Sequence, residues 1–352
     1  MIKKSLIIGL ILLAGTFVSC GNKQGECKSG PLTASFSVSQ AALSEMHLTG
    51  DIPGAQAVDR IDEILSSGRS LRMNIYELNS PDCINDLIQN RHFVSPQNIE
   101  DSRDVVIQDN ETVCAWNRNS LYEQCINEPL FNSNPGVSRE ELKPDSFYIS
   151  EALNILKHDL APRTNAHYQF IPYKRKYGIN GSAPAHEPEN ITETVFEVAV
   201  GFASELDGWP VIGPGGKAYI HLMPDGTPVA KKIYRKIPGA AVVTLSENDI
   251  KSPDEALDEV IQNNHIDMNK YKLFRSEFGY YYRGKNSIQN VIAPHYAFFF
   301  EPVDGRFDTR IYHIVSAVKG EASQIVSDDQ NLELERKQNN IKDITPAQEK
   351  SL

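Results

Sequence analysis

After residue 19 the chain has no apolar run of spanning length, whereas a transmembrane helix needs about 20 such residues. No second membrane segment is expected. The chain is also short of positive charge, with 35 Lys and Arg against 46 Asp and Glu and a net charge of −11. That balance repels nucleic acid and anionic lipid, so neither is expected as a partner. No C-x-x-C or H-x-x-x-H spacing occurs, which leaves no zinc signature, and no metal or other cofactor is expected. The nearest string, His186-Glu187-Pro188-Glu189-Asn190, carries a proline where a helix is needed and lacks the second histidine. G-x-S-x-G, H-E-x-x-H and EF-hand patterns are missing as well, so no residue is assigned a catalytic role.

A phosphate loop is missing too, although Gly213-Pro214-Gly215-Gly216-Lys217 invites the comparison. A Walker loop needs Gly, four residues, then Gly-Lys and a hydroxyl residue; here Val211 stands at the first place and Ala218 at the last. The stretch leads into Tyr219-Ile220-His221-Leu222, which alternates as a strand and offers no helix N-terminus. It reads as a bend between strands.

What is present begins at the N-terminus. Lys3 and Lys4 precede an apolar run from Leu6 to Val18, then Ser19 and Cys20, the layout of a secretory signal. Without those two lysines the net charge becomes −13. Four further cysteines, Cys27, Cys83, Cys114 and Cys125, are expected to form one or two disulfides in an oxidising compartment. Three pairings are open; Cys114 with Cys125 closes a short loop at low entropic cost and is favoured.

Residues 20–34 read as a polar tether and 35–145 as an N-terminal α+β region with irregular, cysteine-containing structure. Within it, Val58, Ile61 and Leu65 share a helix face ended by Gly68, and Leu71, Met73 and Ile75 alternate as a strand. Two α+β units are expected over 146–240 and 241–320, each a helix on a small antiparallel sheet. The first helix is expected from Ser150, with Leu153, Leu156 and Leu160 on one face. The second starts at Ser252-Pro253-Asp254-Glu255, a capping box with proline at its first position. Strands are expected at Tyr168–Ile171, Val195–Val200, Tyr271–Phe274 and Tyr296–Phe300, and hairpins turn at Asp225-Gly226 and Asp304-Gly305. Residues 321–352 read as a mobile polar tail, in part helical.

Several residues invite a binding role. Phe278-Gly279-Tyr280-Tyr281-Tyr282 suggests a sugar or peptide platform on Tyr280 and Tyr282, or else a strand with Tyr281 on its other face. Trp209 and Tyr219 belong to the hairpin segment before Asp225-Gly226. His221, His295 and His313 lie on expected strands, where they are either packing residues or convergent groups. Lys174-Arg175-Lys176 reads as a solvated strand face.

Two resemblances follow from these residues. Phe17-Val18-Ser19-Cys20 resembles the lipobox of bacterial lipoproteins, with Phe17 where Leu is usual. The resemblance implies signal cleavage after residue 19, a lipid anchor (palmitate) on Cys20, and a place in the cell envelope, with Gly21 pointing to the outer membrane, facing the periplasm or the cell surface. Residues 146–320 resemble PepSY and thermolysin-propeptide-like modules through the Ser-Pro-Asp-Glu-Ala-Leu helix start and the hairpin from Trp209-Pro210-Val211-Ile212-Gly213 to Asp225-Gly226. The polar insert Tyr177–Asn190 departs from that pattern. The resemblance implies a non-catalytic module that binds or restrains a partner. The expected function is therefore protein or peptide binding in the envelope, restraining or assisting the partner. The alternatives are an enzyme acting on an envelope polymer through a dispersed site, or a structural assembly lipoprotein.

Overall fold

The computed structural model describes residues 54–79, 104–109, 111–117, 122–160, 168–182, 192–234, 236–285, 287–305 and 309–343. The leader, the tether, Cys20, Cys27, Cys83 and His186 lie outside the described residues. The chain is α+β, as expected.

Helix α1 (Gly54–Ser67) buries Ala57 and Ile61 and is followed by β1 (Met73–Asn79). Leu71, Met73 and Ile75 of this segment are all buried, so the alternation read from sequence is the one adopted. The cysteine-containing region holds three short antiparallel strands, β2 (Asp104–Asp109), β3 (Thr112–Asn117) and β4 (Tyr122–Asn127). Cys114 and Cys125 face each other across β3 and β4 and are joined by a disulfide. A short helix, α2 (Glu128–Asn132), follows, capped by Asn127, whose side chain accepts from the Leu130 N–H.

Helix α3 (Asp145–Leu160) begins five residues before the expected start at Ser150. Tyr148 draws the extra turn in: it is 1% exposed, and its hydroxyl donates to the Pro224 carbonyl at 2.8 Å. Strands β5 (Tyr168–Ser182) and β6 (Thr192–Leu206) form a long hairpin; its first strand takes in 177–182 of the polar insert, and the rest of the insert lies outside the described residues. Then come β7 (Trp209–Ile212), β8 (Ala218–Leu222), β9 (Pro228–Tyr234) and β10 (Ile237–Leu245). The Asp225-Gly226 turn joins β8 to β9, with Thr227 N–H donating to the Asp225 side chain. Helix α4 (Pro253–Asn263) carries the capping box between Ser252 and Glu255 that the sequence announces. Strands β11 (Tyr271–Tyr281), β12 (Val291–Ile292), β13 (Pro294–Pro302) and β14 (Ile311–Ser316) follow. The segment expected as a mobile tail forms helix α5 (Ser323–Asp343), and its Val326 and Asp329 are buried. Among the described residues no helix is long and apolar enough to cross a membrane.

Ten strands follow one another in a single sheet in the order β14-β13-β11-β7-β6-β8-β9-β4-β3-β2, and β5 joins it by pairing with β6. Strand β7 runs parallel to β11, while the other pairings are antiparallel. A second sheet, β10-β1-β12, draws its members from the start, middle and end of the described chain. Helix α3 lies over β6 and β8, covering the face from which Val198, Val200, Ile220 and Leu222 project. Helix α1 lies over β11 and β7, and α4 over β13 and β14. What matters for function is the face of β6, β8 and β9 that α3 leaves uncovered.

Candidate functional site

On that uncovered face the sheet register sets a basic and aromatic lining over a floor of small residues. Lys176 on β5 pairs with Ala199 on β6, which pairs with His221 on β8, which pairs with Ala230 on β9. The neighbouring row runs Gly201, Tyr219, Lys232. Two positions along, Tyr234 of β9 pairs with Tyr122 of β4. Because side chains alternate along an extended chain, Lys217, Tyr219 and His221 all project to this side while Ala218, Ile220 and Leu222 enter the core. Pro214 and Lys285 close the cavity from the adjoining loops.

The result is an open cavity of about 410 Å³ whose walls carry four lysines, three tyrosines and one histidine. Positive charge is thus collected at one place on a chain of net charge −11. Among the described residues, no carboxylate lies within ion-pair distance of Lys176, Lys217 or Lys232. Burial pushes the Lys217 ammonium below the ordinary lysine range; the Glu277 charge opposes that shift and the Arg275 charge adds to it. Burial also raises the Tyr122 phenol, and raises Tyr234 to about 12, so both are O–H groups at neutral pH. Their rings stand 4.9 Å apart, tilted by 55°, and the Lys285 ammonium lies 5.8 Å from the Tyr122 ring centre.

The floor is shaped for the rings above it. A Cβ on Gly201 would meet Tyr219 Cε1 at 2.9 Å and Tyr173 Cε1 at 3.3 Å, so glycine is what lets these two rings lie down on β6. Tyr173 sits at an irregularity of β5 and hydrogen-bonds its hydroxyl to that of Tyr219. His221 is held through Nδ1 by Glu197, and its Nε2 is buried without a hydrogen-bond partner among the described residues. A buried polar atom left unpaired costs stability, and a ligand group within reach would remove that cost.

The candidates read from the sequence divide sharply between this site and the core. Tyr219 lines the cavity. Tyr280 and Tyr282 do not form a platform: they are 0% and 1% exposed, and Tyr281 points the other way, the strand alternative read from the sequence. The Tyr282 hydroxyl donates to the Lys236 carbonyl, and Tyr280 joins Tyr76 and Asn74 around the Asp207 carboxylate. Trp209 is likewise buried, edge-on to Phe278 and beneath the Arg60 guanidinium at 4.0 Å. The three strand histidines do not converge, since β11, β7 and β6 separate His295 on β13 from His221 on β8. His295 is instead buried with Nδ1 at 2.9 Å from the Ala293 carbonyl. Gly213 and Gly216 take φ of 92° and 64°, confirming the bend in place of a phosphate loop. Lys217 beyond it does face the cavity, but at the entry to a strand and not to a helix.

Sequence reasoning missed Lys176, Lys217, Lys232 and Lys285 as a group. The usable signal was local: Lys217, Tyr219 and His221 alternate with three residues that read as core.

No protein-family model matches the chain, and no curated protein does. Among solved structures, an uncharacterized protein from Eubacterium rectale ATCC 33656 is similar over 72% of this chain and 85% of its own, at 10% identity and a TM-score of 0.32.

Proposed function

We propose that the chain is a lipid-anchored envelope protein that binds an anionic ligand without turning it over, in the cavity on the outer face of β6, β8 and β9. The observation that carries this reading is the gathering of Lys176, Lys217, Lys232 and Lys285 around one cavity of a protein whose net charge is −11. An anion entering the cavity would gain charge-assisted hydrogen bonds from lysine donors and further hydrogen bonds from tyrosine hydroxyls. Anchoring rests on Phe17-Val18-Ser19-Cys20, with Cys20 as the lipid-bearing residue, and an anchored binder meets its ligand in the envelope.

Titration calorimetry of the full chain with a polyanion such as pyrophosphate tests the binding reading. One site is expected, weakened by added salt and lost in the Lys217→Met/Lys232→Met double variant at unchanged circular dichroism. Heat from no anion, or equal heat from the double variant, would overturn it.

A further inference from the structure

Resting on that reading, we infer that the ligand is a saccharide carrying a phosphate or sulfate ester, bound by its ester group at the lysines and by its ring against the tyrosines.

The first argument is the kind of cation. Among the described residues the lining holds four lysines and no arginine. A guanidinium is a planar fork that matches a planar carboxylate through two parallel hydrogen bonds, whereas an ammonium is a point charge with three rotatable donors. Several such charges around one centre suit a tetrahedral oxyanion, whose acceptor oxygens point in several directions. The chain does use arginine against carboxylates elsewhere, at Arg283 with Asp329 and at Arg310 with Glu301. Among the described residues none of that chemistry enters the cavity.

The second is size and shape. A cavity of about 410 Å³ lies in the range of sites that hold a small organic molecule, and it exceeds what a bare oxyanion fills. Beside the lysines, its walls include the rings of Tyr122, Tyr219 and Tyr234. Such rings offer broad apolar faces at low entropic cost, with a hydroxyl at the tip. A sugar ring has C–H faces for the former and hydroxyls for the latter.

The third is the balance of donors and acceptors. Among the described residues the cavity lining carries no carboxylate or carboxamide side chain, and Glu197 acts behind it as the partner of His221. A peptide would bring backbone N–H groups that need acceptors. An ester oxyanion is acceptor-only and fits. A sugar hydroxyl both donates and accepts, so it satisfies the buried His221 Nε2 in either tautomer of the imidazole.

The test is calorimetry of the full chain with glucose 6-phosphate, glucose 6-sulfate, glucuronate, triglutamate and inorganic phosphate at one ionic strength. The expected result is that at least one of the two sugar esters binds about tenfold or more tightly than the carboxylates and than inorganic phosphate, a gap of about 1.4 kcal/mol. The same preference should vanish in Lys217→Met/Lys232→Met. Whichever ester binds more tightly assigns phosphate or sulfate. Glucuronate or triglutamate binding as well as the esters overturns this inference and leaves anion binding standing. Inorganic phosphate binding as well as the sugar esters overturns the saccharide half in the same way. Binding by none of the five overturns the inference, and with it the reading beneath when pyrophosphate gives no heat either.

Discussion

At the scale of single residues, two positions make sharp predictions because the physics at each has one dominant cause. Gly201 is the floor on which the hydrogen-bonded Tyr173 and Tyr219 rest, and an added methyl would press on both rings. Gly201→Ala is expected to destabilise the fold by about 1 kcal/mol through overpacking while displacing Tyr219 from the cavity wall. Anion affinity should fall by more than stability does, which a paired calorimetric titration and thermal melt would reveal. His295 is dominated by burial, which lowers it to about 4 from an ordinary 6.5, with smaller contributions of the same sign from Arg283 and Lys251 and an opposing one from its bond to the Ala293 carbonyl. The folded form refuses a proton that the unfolded chain accepts. Stability is therefore full above about 6.5 and is lost as pH falls toward about 4, by at most about 3 kcal/mol. His313 is lowered by burial as well and adds in the same direction. A His295→Gln variant, whatever its absolute stability, should show a flatter Tm against pH between 6.5 and 4; an unchanged slope would remove His295 as the cause.

At the scale of elements, legibility followed locality. The capping box at Ser252 and Glu255 and the turn at Asp225-Gly226 use residues within a few positions of each other, and both were readable. The start of α3 was not, because Phe147, Tyr148 and Ile149 are indifferent helix formers that tertiary burial pulls into the helix. Helix α5 shows the same limit more strongly. Its sequence looks like a solvated tail, yet one polar residue fastens it: Asp329 pairs with Arg283 at 3.3 Å, both side chains nearly buried, and accepts from the Asn290 N–H at 2.8 Å. Burial raises the Asp329 carboxyl, while Asn290, Arg283 and Lys236 counter that shift. Asp329 thus ties α5 to the loop between β11 and β12, which carries Lys285 into the cavity wall. Removing one partner of a buried pair strands the other, at about 3–5 kcal/mol. Asp329→Ala is expected to lose stability on that order, to expose 323–343 to limited proteolysis, and to weaken anion binding through Lys285. Proteolysis at the wild-type rate would show that the helix is held by other means.

At the scale of the whole molecule, the cavity could not be read from the sequence, since Lys176, Lys217, Lys232 and Lys285 meet only through the order of strands. The same order decides how the molecule should unfold. The segments 146–240 and 241–320 each have their own helix and strands, yet β7 of the first pairs in parallel with β11 of the second, at Val211 with Tyr280 and Ile212 with Tyr281. Strand β1, which precedes both, bridges β10 and β12. The buried residues of α1, α3, α4 and the strands beneath them form one continuous cluster. Neither segment therefore closes its own core, and one cooperative transition is expected. Gly279 lies at the seam, where a Cβ would come within 2.1 Å of the Pro210 carbonyl oxygen. Backbone cannot yield there as a flexible side chain would, so Gly279→Val should force β7 and β11 apart. Because the seam belongs to the common core, that variant should lower the melting of the far-UV signal and of tryptophan fluorescence together, still in a single step. If instead the two signals separate, with one keeping its wild-type midpoint, the segments are independent folding units and the cavity on β6, β8 and β9 is stabilised without the second of them.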